Sequence, residues 1–527
     1  MTFTPAGAST YTVELANEQA LQQVVADIAA ALEPGDLITL SGDLGAGKTT
    51  FARALIRYLA DNPEIPVPSP TFTLMQSYEL SRFVVVHADL YRLGGPGELA
   101  ELGFDDLPKG AVMLVEWADR GLLSPDRLDI MFMLAPELGP EHRNLKIAGH
   151  GKLAARADRI ATIRRFLDGT GYSAAERRRI QGDASTRIYE RLKLGNERAI
   201  LMNAAKRPDG PPVRDGKPYS AIAHLAEDIV PFVAMANGLR QLGFSAPQIY
   251  EAELPDGLLI LEDLGSEPVA SGDPPAPIEE RYGAAVDALI ALHGYQLSDT
   301  IPVAPHVSYQ LPRYDLGAYL IEVELLPDWY LPRLGYRVPD LERASYLDLW
   351  RKALRVALDA APTWVLRDFH SPNLIWLPER TELARVGLLD FQDAVMGPPA
   401  YDLASLLQDA RVDVPEVLEV ALLGRYIARR SEADPEFDPV MFVRTYATLA
   451  AQRASKILGI FSRLDRRDGK PQYLRHIPRV WSHLQRSLAH PALAALREWY
   501  DTNVPAPTEH ADQAEAVTPP GPAQAKV

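Results

Sequence analysis

The sequence predicts two successive domains: an α/β domain over residues 1–151 and a bilobal α+β domain over residues 160–501, with 152–159 as a linker and 502–527 as a disordered tail. Three observations predict this. A chain of 527 residues exceeds what one ordinary hydrophobic core organises. Its first 150 residues alternate short apolar runs with amphipathic helical patterns, the signature of an α/β domain. From Arg187 onward a short strand-rich stretch gives way to a long helix-rich one, the order of a small lobe followed by a large lobe.

Taken in order, Tyr11 to Leu15 reads as an opening strand. Asn17 then caps a helix that carries Leu21, Val24, Val25, Ile28 and Ala29 on one face. Pro34 and Gly35 turn the chain into a buried strand, Leu37 to Leu40, and a helix from about Lys48 buries Phe51, Leu55, Tyr58 and Leu59. Further strands are predicted at Phe83–Val86, Val112–Val115 and Leu128–Leu134. The basic, alanine-containing run Gly151 to Arg159 separates this pattern from a helix at Ile160–Leu167, which supports the linker. The segment from Thr502 is rich in Pro, Ala and polar residues, a composition that cannot build a core.

With 47% hydrophobic and 24% charged residues the composition is that of a folded globular protein. No apolar run approaches the ~18–20 residues that span a bilayer, and the N-terminus lacks the features of a signal peptide, so a cytoplasmic location without membrane contact is expected. The absence of cysteine excludes disulfides, thiolate metal sites and a cysteine nucleophile, so any metal is expected to be oxygen-bound, as Mg²⁺ is. Of the net charge of -16, residues 1–150 account for -10, with 10 basic and 20 acidic side chains. Such a domain is a poor match for a phosphate backbone, and direct tRNA binding by it is not expected.

The run Gly42 to Thr49 matches G-x-x-x-x-G-K-[ST] between an apolar strand and an amphipathic helix, the context that the P-loop mechanism requires. Backbone amides over Gly42, Asp43, Gly45, Ala46, Gly47, Lys48, Thr49 and Thr50 would cradle phosphates. Lys48 would reach the β/γ-phosphates of ATP, and the Thr49 hydroxyl would take Mg²⁺. Ser69 to Phe72 follows the helix, and the strand Val112 to Val115 ends in Glu116 and Trp117. Glu116 could act near Mg²⁺ or the attacking water, although a carboxylate after a strand is more often a solvated loop residue.

A second constellation centres on Val365 to Asn373. Asp368 and Asn373 reproduce the D-x-x-x-x-N interval of a kinase catalytic loop, in which the Asp accepts the proton of the attacking hydroxyl and the Asn holds Mg²⁺. The strand Val386 to Leu389 then delivers Asp390 to the later metal-binding position. Upstream, Gln181 to Arg187 has one glycine, Gly182, and Ser185 as candidate phosphate contacts. The strand Ala199 to Met202 lacks the usual phosphate-binding lysine, for which Lys206 is a candidate substitute. Trp329 and Glu324 are compatible with stacking on and hydrogen bonding to a sugar, and also with the commoner roles of a core Trp and a solvated Glu.

The P-loop, Ser69 to Phe72, His87 to Arg92 and Val115 to Trp117, in this order, resemble the bacterial threonylcarbamoyladenosine-biosynthesis ATPase family over about residues 9–150. The resemblance implies an ATPase that works with a threonylcarbamoyl-transferase heterodimer acting on adenosine 37 of tRNA. It implies a Mg²⁺ site of Thr49 and Glu116 with Thr71 and Asp89 in its switch-like surroundings, and Trp117 in the nucleotide pocket. Residues 160–500 are similar to the aminoglycoside-phosphotransferase superfamily, on Gly182 to Ser185, Arg367 to His370, Asp390 to Asp393, Gly397 to Leu403 and Gly459 to Leu464. Within it they resemble the anomeric kinases of N-acetylmuramate and N-acetylglucosamine, which implies an amino-sugar substrate and a backbone adenine contact in Leu259 to Gly265, at Glu262 and Leu264. Leu366 and Arg367 replace the His-Gly of most aminoglycoside kinases, which counts against an aminoglycoside acceptor. The competing expectation is an N-terminal nucleotide-gated interaction module joined to a kinase of another small alcohol or an antibiotic.

Overall fold

The computed structural model describes residues 8–93, 98, 107–120, 122, 124–139, 142–180, 187–206 and 210–507. The chain forms two compact units: residues 1–206 with 249–263, and residues 207–248 with 264–527.

The first unit opens with β1 (Ala8–Leu15) and α1 (Glu18–Ala31), where the Asn17 side chain accepts the Ala20 N–H at 2.9 Å as the sequence predicts. Next come β2 (Leu37–Ser41), α2 (Lys48–Ala60), β3 (Met75–Glu79), β4 (Val84–Asp89), β5 (Val112–Glu116), β6 (Arg127–Leu134) and β7 (Arg143–His150). These strands make one seven-stranded mixed sheet in the order β1-β7-β6-β2-β5-β4-β3. At its centre β2 runs parallel to β5 and β6, and β4 runs parallel to β5. That arrangement sets the end of β2, and so the loop before α2, beside the ends of β4 and β5, where ligands bind in open α/β sheets. The core beneath is Val24, Val25, Ile28, Ile38, Leu40, Phe51 and their neighbours.

Residues 152–159, expected as a linker, are instead ordered as the end of a 3₁₀ turn and the start of α3 (Ala154–Asp168). Of the basic residues that suggested a linker, Arg156 is half-buried and donates to Asp36, and Arg159 is half-buried and donates to Asn203, while the helix's apolar residues serve two cores. Ala157 and Ile160 join the core of the seven-stranded sheet, and Ile163 and Leu167 join that of a second sheet. This second sheet contains β8 (Glu176–Ile180), β9 (Ile188–Leu194), β10 (Glu197–Asn203) and the strands Leu258–Glu262 and Ile249–Glu253, all antiparallel. Ala30 of α1 belongs to its core together with Leu192, Leu201 and Ile260.

The second unit is mainly helical. Its longest element, Pro439–Asp468, buries Gln452, Gly459 and Phe461 among others. Among its five described short antiparallel pairs, two frame the segments of interest: Thr363–Val365 with Val395–Gly397, and Leu374–Trp376 with Val386–Leu388. They bracket the segments 366–373 and 389–394. The last helix, Ala494–Asn503, runs two residues into the stretch expected as tail. Among the described residues no helix is long and apolar enough to cross a membrane.

Candidate functional site

The loop between β2 and α2 has the left-handed backbone that its glycines permit. Gly47 has φ +110°, and at Gly42 (φ +132°) a Cβ would lie 2.5 Å from the Phe132 carbonyl oxygen. Lys48 is buried, with its ammonium donating to the carbonyls of Gly42 (2.8 Å) and Asp43 (2.9 Å) and standing 4.0 Å above the Trp117 ring. Burial lowers its pKa, against the opposing pull of the Glu116, Asp89 and Asp43 carboxylates.

The parallel register of β4 and β5 pairs Asp89 with Glu116 and so brings two predicted residues together. The Thr49 hydroxyl donates to Glu116 Oε2 at 2.9 Å, and the Thr71 hydroxyl donates to Asp89 Oδ2 at 2.6 Å. Glu116 is buried and not a solvated loop residue. Trp117, just after it, takes φ +58°, an uncommon backbone state for a bulky residue that recurs at functional sites.

The sequence motif contains His87, but sequence reasoning gave it no role. The ring is fully buried, and Nε2 lies 3.0 Å from Glu116 Oε1, while Nδ1 has no partner among the described residues. The tautomer that satisfies the carboxylate carries its proton on Nε2 and holds Glu116 toward Thr49. A hydroxyl and a carboxylate oxygen at this spacing are hard donors of the kind that Mg²⁺ accepts.

In the second unit the segment 366–373 is held from behind by two buried carboxylates. Asp402 accepts the N–H groups of Leu366 (2.6 Å) and Arg367 (2.8 Å), and Asp409 accepts the N–H (2.9 Å) and hydroxyl (2.7 Å) of Ser371. Burial pushes the Asp402 carboxyl up to about 7 despite its two N–H donors. Arg367, at φ +66°, turns its buried guanidinium away from the loop onto Glu322 Oε1 (2.5 Å) and the Ala223 carbonyl (2.9 Å). Glu322 also accepts from Lys456 (2.7 Å), Gln452 (2.9 Å) and the Tyr314 hydroxyl (2.5 Å).

Asp368 lies in the middle of this pinned loop, with its side chain 38% exposed. Burial opposes its charge. His370 when protonated, and at every ordinary pH the cations Lys456, Arg453 and Arg367, outweigh that and hold its pKa below the usual carboxylate value. Burial lowers the His370 pKa to about 4, so the ring is neutral at pH 7. Asn373 donates to the Asp368 carbonyl at 3.0 Å, and its amide stands 3.5 Å from Asp390 Oδ2. Gln392 donates to Asp390 Oδ1 at 2.8 Å, and Asp390 takes φ +57°. The structure thus gathers Asp368, Asn373 and Asp390 at one place, and an amide and a carboxylate side by side suit an octahedral cation that keeps water and phosphate ligands.

Gly182 and Ser185 lie outside the described residues. Glu262 ends a strand of the first unit, and Leu264, in the second, packs against Ile375 and Leu377. Lys206 is exposed beyond the end of β10. Glu324 is neither solvated nor free, because it is buried between Arg214 (2.6 Å) and Arg343 (3.0 Å), and Trp329 is half-buried. No signal in the sequence identified Asp409. Asp402 stood in a motif but had no assigned role.

Comparison with known proteins matches a family to each of the two regions. The model of the family described as threonylcarbamoyl adenosine biosynthesis protein TsaE matches residues 15–140, and that of the phosphotransferase enzyme family matches residues 176–440. The N-acetylmuramate/N-acetylglucosamine kinase of Caulobacter vibrioides is 39% identical over 368 residues, which cover 67% of this chain and 98% of that protein. The protein of the same name from Pseudomonas aeruginosa is 35% identical over 320 residues, covering 60% of this chain and 85% of its own. The tRNA threonylcarbamoyladenosine biosynthesis protein TsaE of Rickettsia conorii is 40% identical over 118 residues, covering 22% of this chain and 67% of its own. The chain therefore belongs to the TsaE family through its N-terminal region and to the phosphotransferase enzyme family through its C-terminal region.

Proposed function

We propose that the chain carries two ATP-dependent activities. Its C-terminal region phosphorylates N-acetylmuramate or N-acetylglucosamine at the anomeric hydroxyl. Its N-terminal region is an ATPase that supports transfer of a threonylcarbamoyl group to adenosine 37 of tRNA by a partner heterodimer. Both reactions consume ATP, and we place them in the cytoplasm.

The observation that carries the kinase reading is the ionised, half-exposed Asp368 beside the Asn373–Asp390 pair, in a region similar to an amino-sugar kinase over 98% of that protein. Asp368 would orient the sugar hydroxyl and take its proton as the oxygen attacks the γ-phosphorus, the new P–O bond forming while the bond to ADP breaks. Asn373 and Asp390 would hold Mg²⁺, which supplies charge neutralisation on the phosphates. In the N-terminal region Lys48 and the loop amides would bind the phosphates, with Thr49 and Glu116 at the metal and His87 fixing Glu116.

The test is to incubate the full chain with ATP and a panel of amino sugars and aminoglycosides and to locate the phosphate by ³¹P–¹H NMR. An anomeric phosphate on an N-acetylated amino sugar is expected, and phosphorylation only of another hydroxyl or of an antibiotic would overturn the assignment. For the ATPase, adding the transferase heterodimer should stimulate hydrolysis in the wild type and not in Lys48→Ala.

A further inference from the structure

A cavity of about 1060 Å³ lies against the P-loop, lined by Gly45, Ala46, Gly47 and Thr50 but not by Lys48, Thr49 or Glu116. In a P-loop the lysine and the hydroxyl that follows it attend the outer phosphates and the metal. A phosphate chain lying on these amides therefore runs from the side of Lys48 and Glu116 toward the cavity, and whatever is attached to its α-phosphate enters there. The cavity continues along α2 past Arg53, Arg57 and Tyr58 to Asp61. At the helical rise that is roughly 16 Å from Thr50, enough to take a nucleoside.

The far wall of this cavity is Glu176 to Arg179 of β8, a strand of the second sheet and outside the region matched to the ATPase family. The strand is fixed there. Arg177 is buried between Asp27 of α1 and Glu190, Arg178 makes two hydrogen bonds to Asp61 at 2.8 and 3.0 Å, and Gln23 donates to the Ala175 carbonyl at 2.6 Å. Arg179 differs from both neighbours: it is half-buried, lines the cavity and makes no ion pair among the described residues. Burial lowers its pKa, and the Glu190 carboxylate opposite it on β9, which is hydrogen-bonded to Arg177, opposes this only in part.

We propose that β8 completes the nucleotide site of the N-terminal region, with the Arg179 guanidinium meeting the nucleoside end of bound ATP, so that a strand of the phosphotransferase region is part of the ATPase pocket. A guanidinium plane suits this place because it stacks on a purine and donates to ribose or α-phosphate oxygens. The inference rests on the reading that Gly42 to Thr49 bind ATP.

Photolabelling of the full chain with 8-azido-ATP, followed by peptide mass spectrometry, tests it. Label is expected within residues 176–180 and should disappear in Lys48→Ala, which separates this site from the kinase's own ATP site. In Arg179→Ala the half-saturating concentration for Lys48-dependent label should rise at least about fivefold, with Arg179→Lys in between. Lys48-dependent label confined to residues 1–151, or an unchanged half-saturation in Arg179→Ala, would overturn the shared wall while leaving the P-loop reading intact. If no label anywhere depended on Lys48, the P-loop reading itself would fall, and the shared wall with it.

Discussion

Arg367 stands directly before the proposed base, yet its guanidinium faces Glu322 and the interior, so its task is to anchor the loop. The carboxylate it meets is also fixed by Lys456, Gln452 and Tyr314, and together they make a buried network of one carboxylate between two cations. Burial alone would raise the Glu322 pKa, but Lys456 and Arg367 bring it down to about 2, against an ordinary 4.5. A carboxylate depressed in the folded state adds stability above its unfolded pKa and loses it as pH falls through the folded one. The melting temperature of the wild type should therefore exceed that of Glu322→Gln by an amount that is constant near neutrality and shrinks between about pH 4.5 and pH 2. At pH 7 the variant leaves two cations facing a neutral amide and should lose roughly 3–5 kcal/mol, measurable by denaturant titration. Asp368→Asn is the complementary case, since it keeps the shape and removes the proton acceptor. Its kcat should fall at least ~10²-fold with Mg·ATP affinity little changed, and retention of more than a tenth of wild-type turnover with chemistry rate-limiting would reject Asp368 as the base. The grouping of Asp368, Asn373 and Asp390 was legible because the proposed chemistry fixes their spacing. His87, Asp402 and Asp409 gave no such sign, because a side chain that serves another group or a backbone N–H over a long sequence distance leaves no local pattern.

At the scale of elements, the helix Pro439–Asp468 shows how one stripe serves both packing and the site. Gln452, Lys456 and Gly459, spaced by four and three residues, share a face. The first two reach Glu322, and the third lets the helix touch the backbone of Leu325. A Cβ at Gly459 would lie 2.4 Å from the Leu325 carbonyl carbon and oxygen. On an open helix face Gly→Ala would gain about 1 kcal/mol. Here the backbone cannot step aside, so Gly459→Ala should instead destabilise by ~1–3 kcal/mol, and a rise in melting temperature would contradict the close approach. Elements whose apolar pattern matched their period were readable, including α1 with its Asn17 cap, β2 and the start of α2. The strands Met75–Glu79, Arg143–His150 and Glu176–Ile180 escaped because they are short, polar or basic, and their places in the sheets come from neighbouring strands and not from their own sequences.

At the scale of the molecule, the alternation of patterns before and after residue 151 suggested separate cores, but the first unit contains both sheets in one folded body. The join was misread because basic residues covered a helix whose inner face is apolar, and because no sequence pattern announces that α1 has a second buried side. That side carries Asp27, Gln23 and Ala30. Asp27 meets Arg177 of β8 and Arg164 of α3, Gln23 donates to the Ala175 carbonyl, and the Ala30 carbonyl accepts from Asn203 of β10 at 3.0 Å. Asp27 and Arg177 are both nearly inaccessible to solvent, so removing one leaves the other partly uncompensated in a low-dielectric interior, although Glu190 remains beside Arg177 at 2.7 Å. Breaking a buried pair in this way costs roughly 3–5 kcal/mol, and the retained Glu190 should place Asp27→Ala at the lower end. If the sheets share one cooperative structure, that loss spreads to both. Native-state hydrogen exchange should then accelerate in α1 and β2 of the seven-stranded sheet and, by a similar factor, in β9 and β10 of the second. Acceleration confined to α1 and β8, with β2 and β10 exchanging as in the wild type, would mean that the contact is local and that the two sheets unfold independently.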